Sequence, residues 1–270
     1  MSETSLSTSA AKRALITGAS AGIGRELARI FAADGWSLVL VARRAELLAE
    51  LAAELKAKHG TDATVIAADL GTRAGVDTVI RTVQERGLDL DALVNNAGYG
   101  LAGPFAELDA EKQLGMIDLN VTALTALTRA FLPGMIARRH GAVLNVASTA
   151  GMQPGPLMAV YYATKAYVVS FSEALTEEVR GTGVTVTALC PGYTETEFAA
   201  RAAEHHRPRL FSGPMGKGDA REVALVGYRA MKKGTRLVIP GGMNKLAAWS
   251  VPFTPRGVLL KIVRRMNESA

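Results

Sequence analysis

Residues 14–24 read A-L-I-T-G-A-S-A-G-I-G. The first four, Ala14–Thr17, form a short apolar run suited to a buried strand. Gly18, Gly22 and Gly24 follow at G-x-x-x-G-x-G spacing, and an amphipathic segment continues to about Ala33. Strand, glycine-rich turn and helix is the arrangement that cradles a dinucleotide pyrophosphate. Glycine lets the backbone approach the phosphates, and the helix N-terminus offers free N–H groups and a favourable dipole. A glycine loop is a weak signal by itself. It gains weight as the opening of a chain that alternates apolar strands with helices.

That alternation runs almost end to end. Further strands are expected at Ser37–Ala42, Thr64–Ala68, Ala92–Asn95, Gly141–Ser148, Val184–Leu189 and Arg236–Ile239. Helices are expected at Glu46–Lys58, from Thr72, and at Ala110–Arg138, Leu157–Arg180 and Asp219–Lys232. The pattern predicts an α/β fold on a parallel sheet. The chain's 270 residues suffice for one large domain, and no linker or fixed-period repeat divides them. We expect a flexible N-terminus at 1–11, a dinucleotide-binding and catalytic domain at 12–240, and a C-terminal extension at 241–270. Residues 194–217, irregular in composition, read as a substrate lid.

Met1–Ala11 is polar and lacks the apolar core of a signal peptide. No uninterrupted apolar stretch reads as long enough to span a bilayer, so a soluble cytoplasmic protein is expected. The single cysteine, Cys190, lies in an apolar run and reads as a core residue. His205 and His206 have no neighbouring ligand set, so they read as solvent-facing and no metal is expected. The net charge of +6 is uneven: His205–Ala270 holds thirteen Lys/Arg against three Asp/Glu, a local balance of +10. Such a tail suits an anionic ligand, a membrane surface, a subunit contact or a solvated face. Few aromatics are interleaved with the charges, which argues against nucleic acid.

Open parallel sheets bind ligands at the C-terminal ends of their strands. At the end of the second strand stand Arg43 and Arg44, where an NAD site usually has an acid for the ribose 2′-hydroxyl. Two guanidiniums suit a 2′-phosphate, through forked, charge-assisted hydrogen bonds; alternatively they begin a solvated helix. Asp69, after the third strand, either accepts from an adenine amino group or caps the next helix. Asn95-Asn96-Ala97-Gly98 ends the fourth strand and suits a turn.

Ser148 through Lys165 reads S-T-A-G-M-Q-P-G-P-L-M-A-V-Y-Y-A-T-K. Tyr161 and Lys165 stand four apart on one helical face. A free tyrosine, with a pKa near ~10, is a poor proton relay at neutral pH. A nearby ammonium stabilises the phenolate and pulls that value down. The phenol then works as acid and base. An ordinary surface pair would have the same spacing.

In order and spacing, these segments resemble the short-chain dehydrogenase/reductase family from about Lys12 to Pro240. The matching motifs are T-G-A-S-A-G-I-G at 17–24, N-N-A-G at 95–98, Asn120, Ser148, Y-Y-A-T-K at 161–165 and P-G-Y-T-E-T at 191–196. The resemblance implies a Rossmann-type, doubly wound, seven-stranded parallel sheet with helices on both faces. It implies Tyr161 as general acid/base, Lys165 as its activator and ribose ligand, Ser148 on the substrate oxygen, and Asn120 holding a water beside Lys165. Gly18, Ser20, Gly22, Ile23 and Gly24 would hold the pyrophosphate and adenosine side. Arg43, with Arg44 as helper, would select NADP(H) over NAD(H). Asp69 and Leu70 would line the adenine, and Asn96, Ala97 and Gly98 the ribose. Pro191, Gly192, Thr194 and Thr196 would hold the nicotinamide end. Family members are usually homodimers or homotetramers. Leu101, Met152, Met158, Tyr193 and Phe198 lie near these motifs and would form an apolar site. The expected reaction is NADPH-dependent reduction of a hydrophobic or bulky ketone or aldehyde. The alternatives are a 3-ketoacyl-carrier or CoA reductase and a non-catalytic nucleotide sensor. The tail after Pro240 exceeds the commonest family length, and would mark a subunit contact or a cover over the pocket.

Overall fold

The computed structural model describes residues 12–202, 206, 208–211 and 218–269. The expected flexible N-terminus and most of 203–217 lie outside these residues. Seven strands form one parallel sheet: β1 (Arg13–Thr17), β2 (Ser37–Ala42), β3 (Ala63–Ala67), β4 (Ala92–Asn95), β5 (Gly141–Val146), β6 (Val184–Leu189) and β7 (Leu237–Val238). Their order is β3-β2-β1-β4-β5-β6-β7, so β1 pairs with both β2 and β4. The chain reverses its direction of winding there, and this switch point opens a crevice beyond the strand ends.

The strands are near-continuous apolar runs because both faces of the sheet are covered. Side chains alternate across the strand, so Ala14 and Ile16 point to one face and Leu15 to the other. On the first face pack α1 (Gly22–Ala33), α2 (Ala45–His59) and α8 (Ala220–Lys232), through Leu27, Phe31, Leu51 and Tyr228. On the second pack α3 (Arg73–Glu85), α5 (Leu124–Ala137) and α6 (Ala159–Glu178), through Val79, Leu127, Phe131 and Leu175. The remaining helices are α4 (Ala110–Ile117), α7 (Glu197–Ala202), α9 (Gly242–Ser250) and α10 (Arg256–Asn267).

Capping sets several boundaries. Thr72 accepts from the Gly75 N–H at the start of α3, and Asp219 accepts from Arg221 and Glu222 at the start of α8. Gly60 closes α2 in the left-handed conformation. The helix expected at Ala110–Arg138 is continuous but changes pitch: α4 passes through a π-helical turn, Asp118–Ala123, into α5. Joining the two halves makes Ala110–Ala137, among the described residues, one helix long and apolar enough to cross a bilayer by length and composition. Charged residues interrupt it at Glu111, Lys112, Asp118 and Arg129, so it is not an uninterrupted apolar stretch. Here Leu127, Phe131 and Met135 are spent on the core of the sheet.

Candidate active site

One cavity of about 630 Å³ follows the C-terminal ends of the strands. Its walls contain most of the expected site, including Gly18, Ser20, Gly22, Ile23, Arg43, Arg44, Asp69, Leu70, Asn96, Ala97 and Gly98. Ser148, Met158, Tyr161, Lys165, Pro191, Gly192, Tyr193, Thr194, Thr196 and Phe198 line it as well.

The glycine turn leaves no room for side chains. Gly18 and Gly22 have φ of +66° and +53°, the left-handed region that glycine adopts freely. A Cβ on Gly18 would lie 2.8 Å from the Asn96 amide. A Cβ on Gly24 would lie 2.4 Å from the Gly18 carbonyl oxygen. Gly24 is therefore a packing glycine that seats α1 against β1, and it is absent from the cavity wall. Asn96 has a holding role: its amide donates to the Thr17 and Gly18 carbonyls at 2.9 and 3.3 Å. Thr17 Oγ1 in turn accepts from the Asn96 and Ala97 N–H groups. Asn95, read as a turn residue, is buried and bonded to Thr128 and Asn145.

The arginines differ. Arg43 is largely exposed, with one guanidinium nitrogen 3.9 Å from Asp69. Arg44 donates to Ser20 Oγ at 3.2 Å and pairs with Glu197 of α7 at 2.9 Å. Asp69 does not cap α3; its carboxylate accepts from the Gly71 N–H, and Thr72 is the cap.

Ser148 ends the extended chain after β5. Its hydroxyl accepts from the Ala150 N–H and donates to the Pro191 carbonyl. Tyr161 and Lys165 lie on the first turns of α6 and are buried. Lys165 Nζ donates to the Val146 carbonyl at 2.8 Å and lies 5.9 Å from the Tyr161 ring centre. Burial pushes the Lys165 ammonium down to about 8. Burial likewise pushes the Tyr161 phenol well above its ordinary range, and hydrogen bonding to Ser148 opposes this. The expected lowering of the phenol by Lys165 is therefore not a property of the polypeptide by itself. Desolvation sets the direction, and the opposing effect comes from Ser148.

Besides Gly24, three expected site residues fall away from the cavity. Leu101 packs behind Tyr161 with Met116 and Met158. Met152 turns into the cluster of Leu124, Val168 and Val169. Asn120 sits on the π-helical turn, fully buried. Its side chain is committed to the Tyr99 backbone and to Thr164 Oγ1. The amide fixes the N-A-G-Y loop to α6. Its Oδ1 is close enough to Gly98 that a Cβ there would lie 2.9 Å away and also 3.6 Å from Lys165 Nζ.

The tail was undecided between subunit contact and cover. Within the chain it is a cover: Met243, Asn244, Ala247, Ala248 and Val251 from α9 and the turn after it, and Met266 from α10, line the cavity with Leu210 and Phe211. A Cβ on Gly192 would lie 2.5 Å from the Asn244 amide, so α9 sits directly on P-G-Y-T. Asn267 is fully buried; it bonds the Tyr162 hydroxyl and the Pro156 carbonyl. His206, expected to face solvent, instead bonds the Asn267 carbonyl and Ser269 Oγ. Gly100 was also missed. A Cβ there would lie 2.9 Å from Phe198 and 3.1 Å from Tyr161.

A family model described as "short chain dehydrogenase" matches residues 12–207. The chain belongs to the short-chain dehydrogenase family. It is thus an oxidoreductase. A very-long-chain 3-oxoacyl-CoA reductase from Anas platyrhynchos is 32% identical over 259 residues, covering 94% of this chain and 80% of that protein. A short-chain dehydrogenase from Sphingobium yanoikuyae, solved in complex with NADPH, superposes with a TM-score of 0.81 at 33% identity. It covers 94% of this chain and 97% of its own. A 7β-hydroxysteroid dehydrogenase gives 0.83 at 26% identity, over 93% and 96%. All three similarities extend beyond the span of the family model, into the tail of this short-chain dehydrogenase.

Proposed function

We propose that this protein is an NADPH-dependent carbonyl reductase, reversible as an alcohol dehydrogenase, for a bulky apolar ketone or aldehyde. The observation that carries the proposal is one continuous cavity. It joins the glycine cradle and the Arg43/Arg44 pair to Ser148, Tyr161 and Lys165. A dinucleotide fits the residues present: left-handed glycines clear the path for phosphates, and two guanidiniums with Ser20 Oγ make a donor set for a 2′-phosphate. The NADPH complex of the Sphingobium relative supports that choice. Asp69 and Leu70 would line the adenine. Pro191, Gly192, Thr194 and Thr196 would hold the nicotinamide end.

The bound dinucleotide supplies the hydride. Tyr161 gives its phenolic proton to the substrate oxygen. Ser148 holds that oxygen and shares hydrogen bonding with the phenol. Lys165 supplies the positive charge that favours the phenolate left behind. Residues 194–217 act as the lid, and the chain assembles as a homodimer or homotetramer. Met158, Tyr193 and Phe198 face the carbonyl substrate, with the inner side of α9 above them. A 3-ketoacyl-CoA substrate is the second reading. The match to the Anas enzyme over most of the chain favours it, as does the basic tail.

NADPH oxidation against a panel of aliphatic, aromatic, steroidal and 3-oxoacyl-CoA carbonyls tests both. Turnover confined to the thioesters would displace the first reading, and no turnover on any member would displace both. A pH profile gives a separate check. With Lys165 at about 8, the ammonium is present below that pH and lost above it. The kcat/KM for the dinucleotide, which reports the free enzyme, should fall as pH rises through about 8. A profile flat from neutral to strongly alkaline pH would count against the role of Lys165.

A further inference from the structure

The tail is apolar on two sides. Asn244, Ala247, Ala248 and Val251 face the cavity. Met243, at the cavity rim, begins a second stripe that continues at three- and four-residue spacing through Leu246, Trp249 and Phe253 on α9 and the turn after it. These four are among the most exposed large apolar side chains described: 69%, 64%, 62% and 87%. On α10, Leu259 and Val263 are buried while Val258 and Ile262 are half exposed. Basic groups lie on the same segment, and Lys245 Nζ sits 4.8 Å from the Trp249 ring centre. Gly242–Ser269 holds Lys245, Arg256, Lys261, Arg264 and Arg265 against one acid, Glu268.

We infer that this surface docks the protein onto a bilayer rich in anionic lipid headgroups, lying in the interface and not spanning it. Exposed Trp, Phe and Leu beside Lys and Arg is the composition of helices that sink a short way into the headgroup layer. The charge decides against a second copy of the chain. A two-fold contact would bring five cations against five, with one acid on each side. An anionic surface neutralises them all, and each Lys or Arg near it contributes about fivefold in affinity. The docked helix also forms part of the cavity wall, so an apolar substrate dissolved in the bilayer would reach the site by a short path. The docking itself does not depend on which reaction the site performs.

Co-sedimentation of the full chain with vesicles tests this. Mixed phosphatidylcholine and phosphatidylglycerol vesicles should bind it, and pure phosphatidylcholine should bind it at least tenfold more weakly. The chain has two tryptophans, and Trp36 is buried. A blue shift of tryptophan fluorescence on binding therefore reports Trp249. Trp249→Ser with Phe253→Ser should abolish binding. Arg256→Glu with Lys261→Glu should weaken it more than tenfold and remove its sensitivity to salt. Turnover of a water-soluble carbonyl substrate, or dinucleotide affinity where no substrate is found, should be unchanged in both, which shows that the fold is intact. Absence of binding to mixed vesicles, equal binding to neutral ones, or undiminished binding by either variant would overturn the inference. So would light scattering in which the serine variant only splits an oligomer of an enzyme that ignores vesicles.

Discussion

Tyr161→Phe should lower kcat by about 10²- to 10⁴-fold, the contribution of a positioned proton donor. Dinucleotide affinity should stay near wild type. The substitution removes one oxygen and leaves the ring, which packs against Phe198 at 5.3 Å between centres and against Tyr162 at 6.1 Å. The cavity keeps its shape and loses its transferable proton. Tyr162→Phe is the control. Its hydroxyl bonds Asn267, which also holds the Pro156 carbonyl, so a large rate effect is not expected. Stopped-flow single turnovers on the three proteins would separate chemistry from product release. A Tyr161→Phe enzyme with near-wild-type kcat would mean that another group delivers the proton.

Arg43 should govern cofactor choice. Its guanidinium is exposed at the cavity edge, and its ion-pair contact is loose. It can turn to a 2′-phosphate without breaking a buried bond. A hydrogen bond to a charged group contributes about 1.5–3 kcal/mol, or roughly 10- to 150-fold in affinity. Arg43→Ala should raise KM for NADPH by about that factor and leave NADH nearly unchanged. Arg43→Asp should reverse the preference, since a carboxylate repels the phosphate and accepts from both ribose hydroxyls. Arg44, already tied to Ser20 and Glu197, should show a smaller effect on substitution. The measurement is kcat/KM for both cofactors on each variant. A wild type that prefers NADH, or an unchanged ratio in Arg43→Asp, would refute the assignment.

The fold was legible because both faces of the sheet are covered. Runs such as Ser37–Ala42 then carry no polar alternation and stand out between turns. Motifs at the strand ends were legible because backbone spacing sets them: Gly18, Tyr161 and Lys165 need only local geometry to reach the cavity. What escaped depends on side-chain direction and on distant partners. Leu101 and Met152 are close in sequence to catalytic motifs, yet local turns aim them into the core. Asn267 meets Tyr162 from 105 residues away, and no local pattern announces that pairing. Likewise, the pitch change at Asn120 leaves the apolar periodicity almost intact. What marks it is the asparagine bridge to Tyr99 and Thr164, which no sequence pattern carries.

The buried Lys165 has a thermodynamic consequence. Its amine binds a proton less readily in the fold, at about 8, than at the ordinary 10.5 of an open chain. A base held below its open-chain value opposes folding wherever the proton is still bound. The opposition is full below pH 8 and fades as pH rises through 10.5, because the unfolded chain then holds more protons than the fold. The difference corresponds to on the order of 3 kcal/mol, a sizeable part of the ~5–15 kcal/mol that keeps a domain folded. At neutral pH this lysine therefore strains the protein that houses it. Lys165→Met should melt higher than wild type near pH 7 and lose that advantage in alkali, and equal melting at pH 7 would refute this. A buried charge is where a stability-selected library and a turnover-selected one would part company.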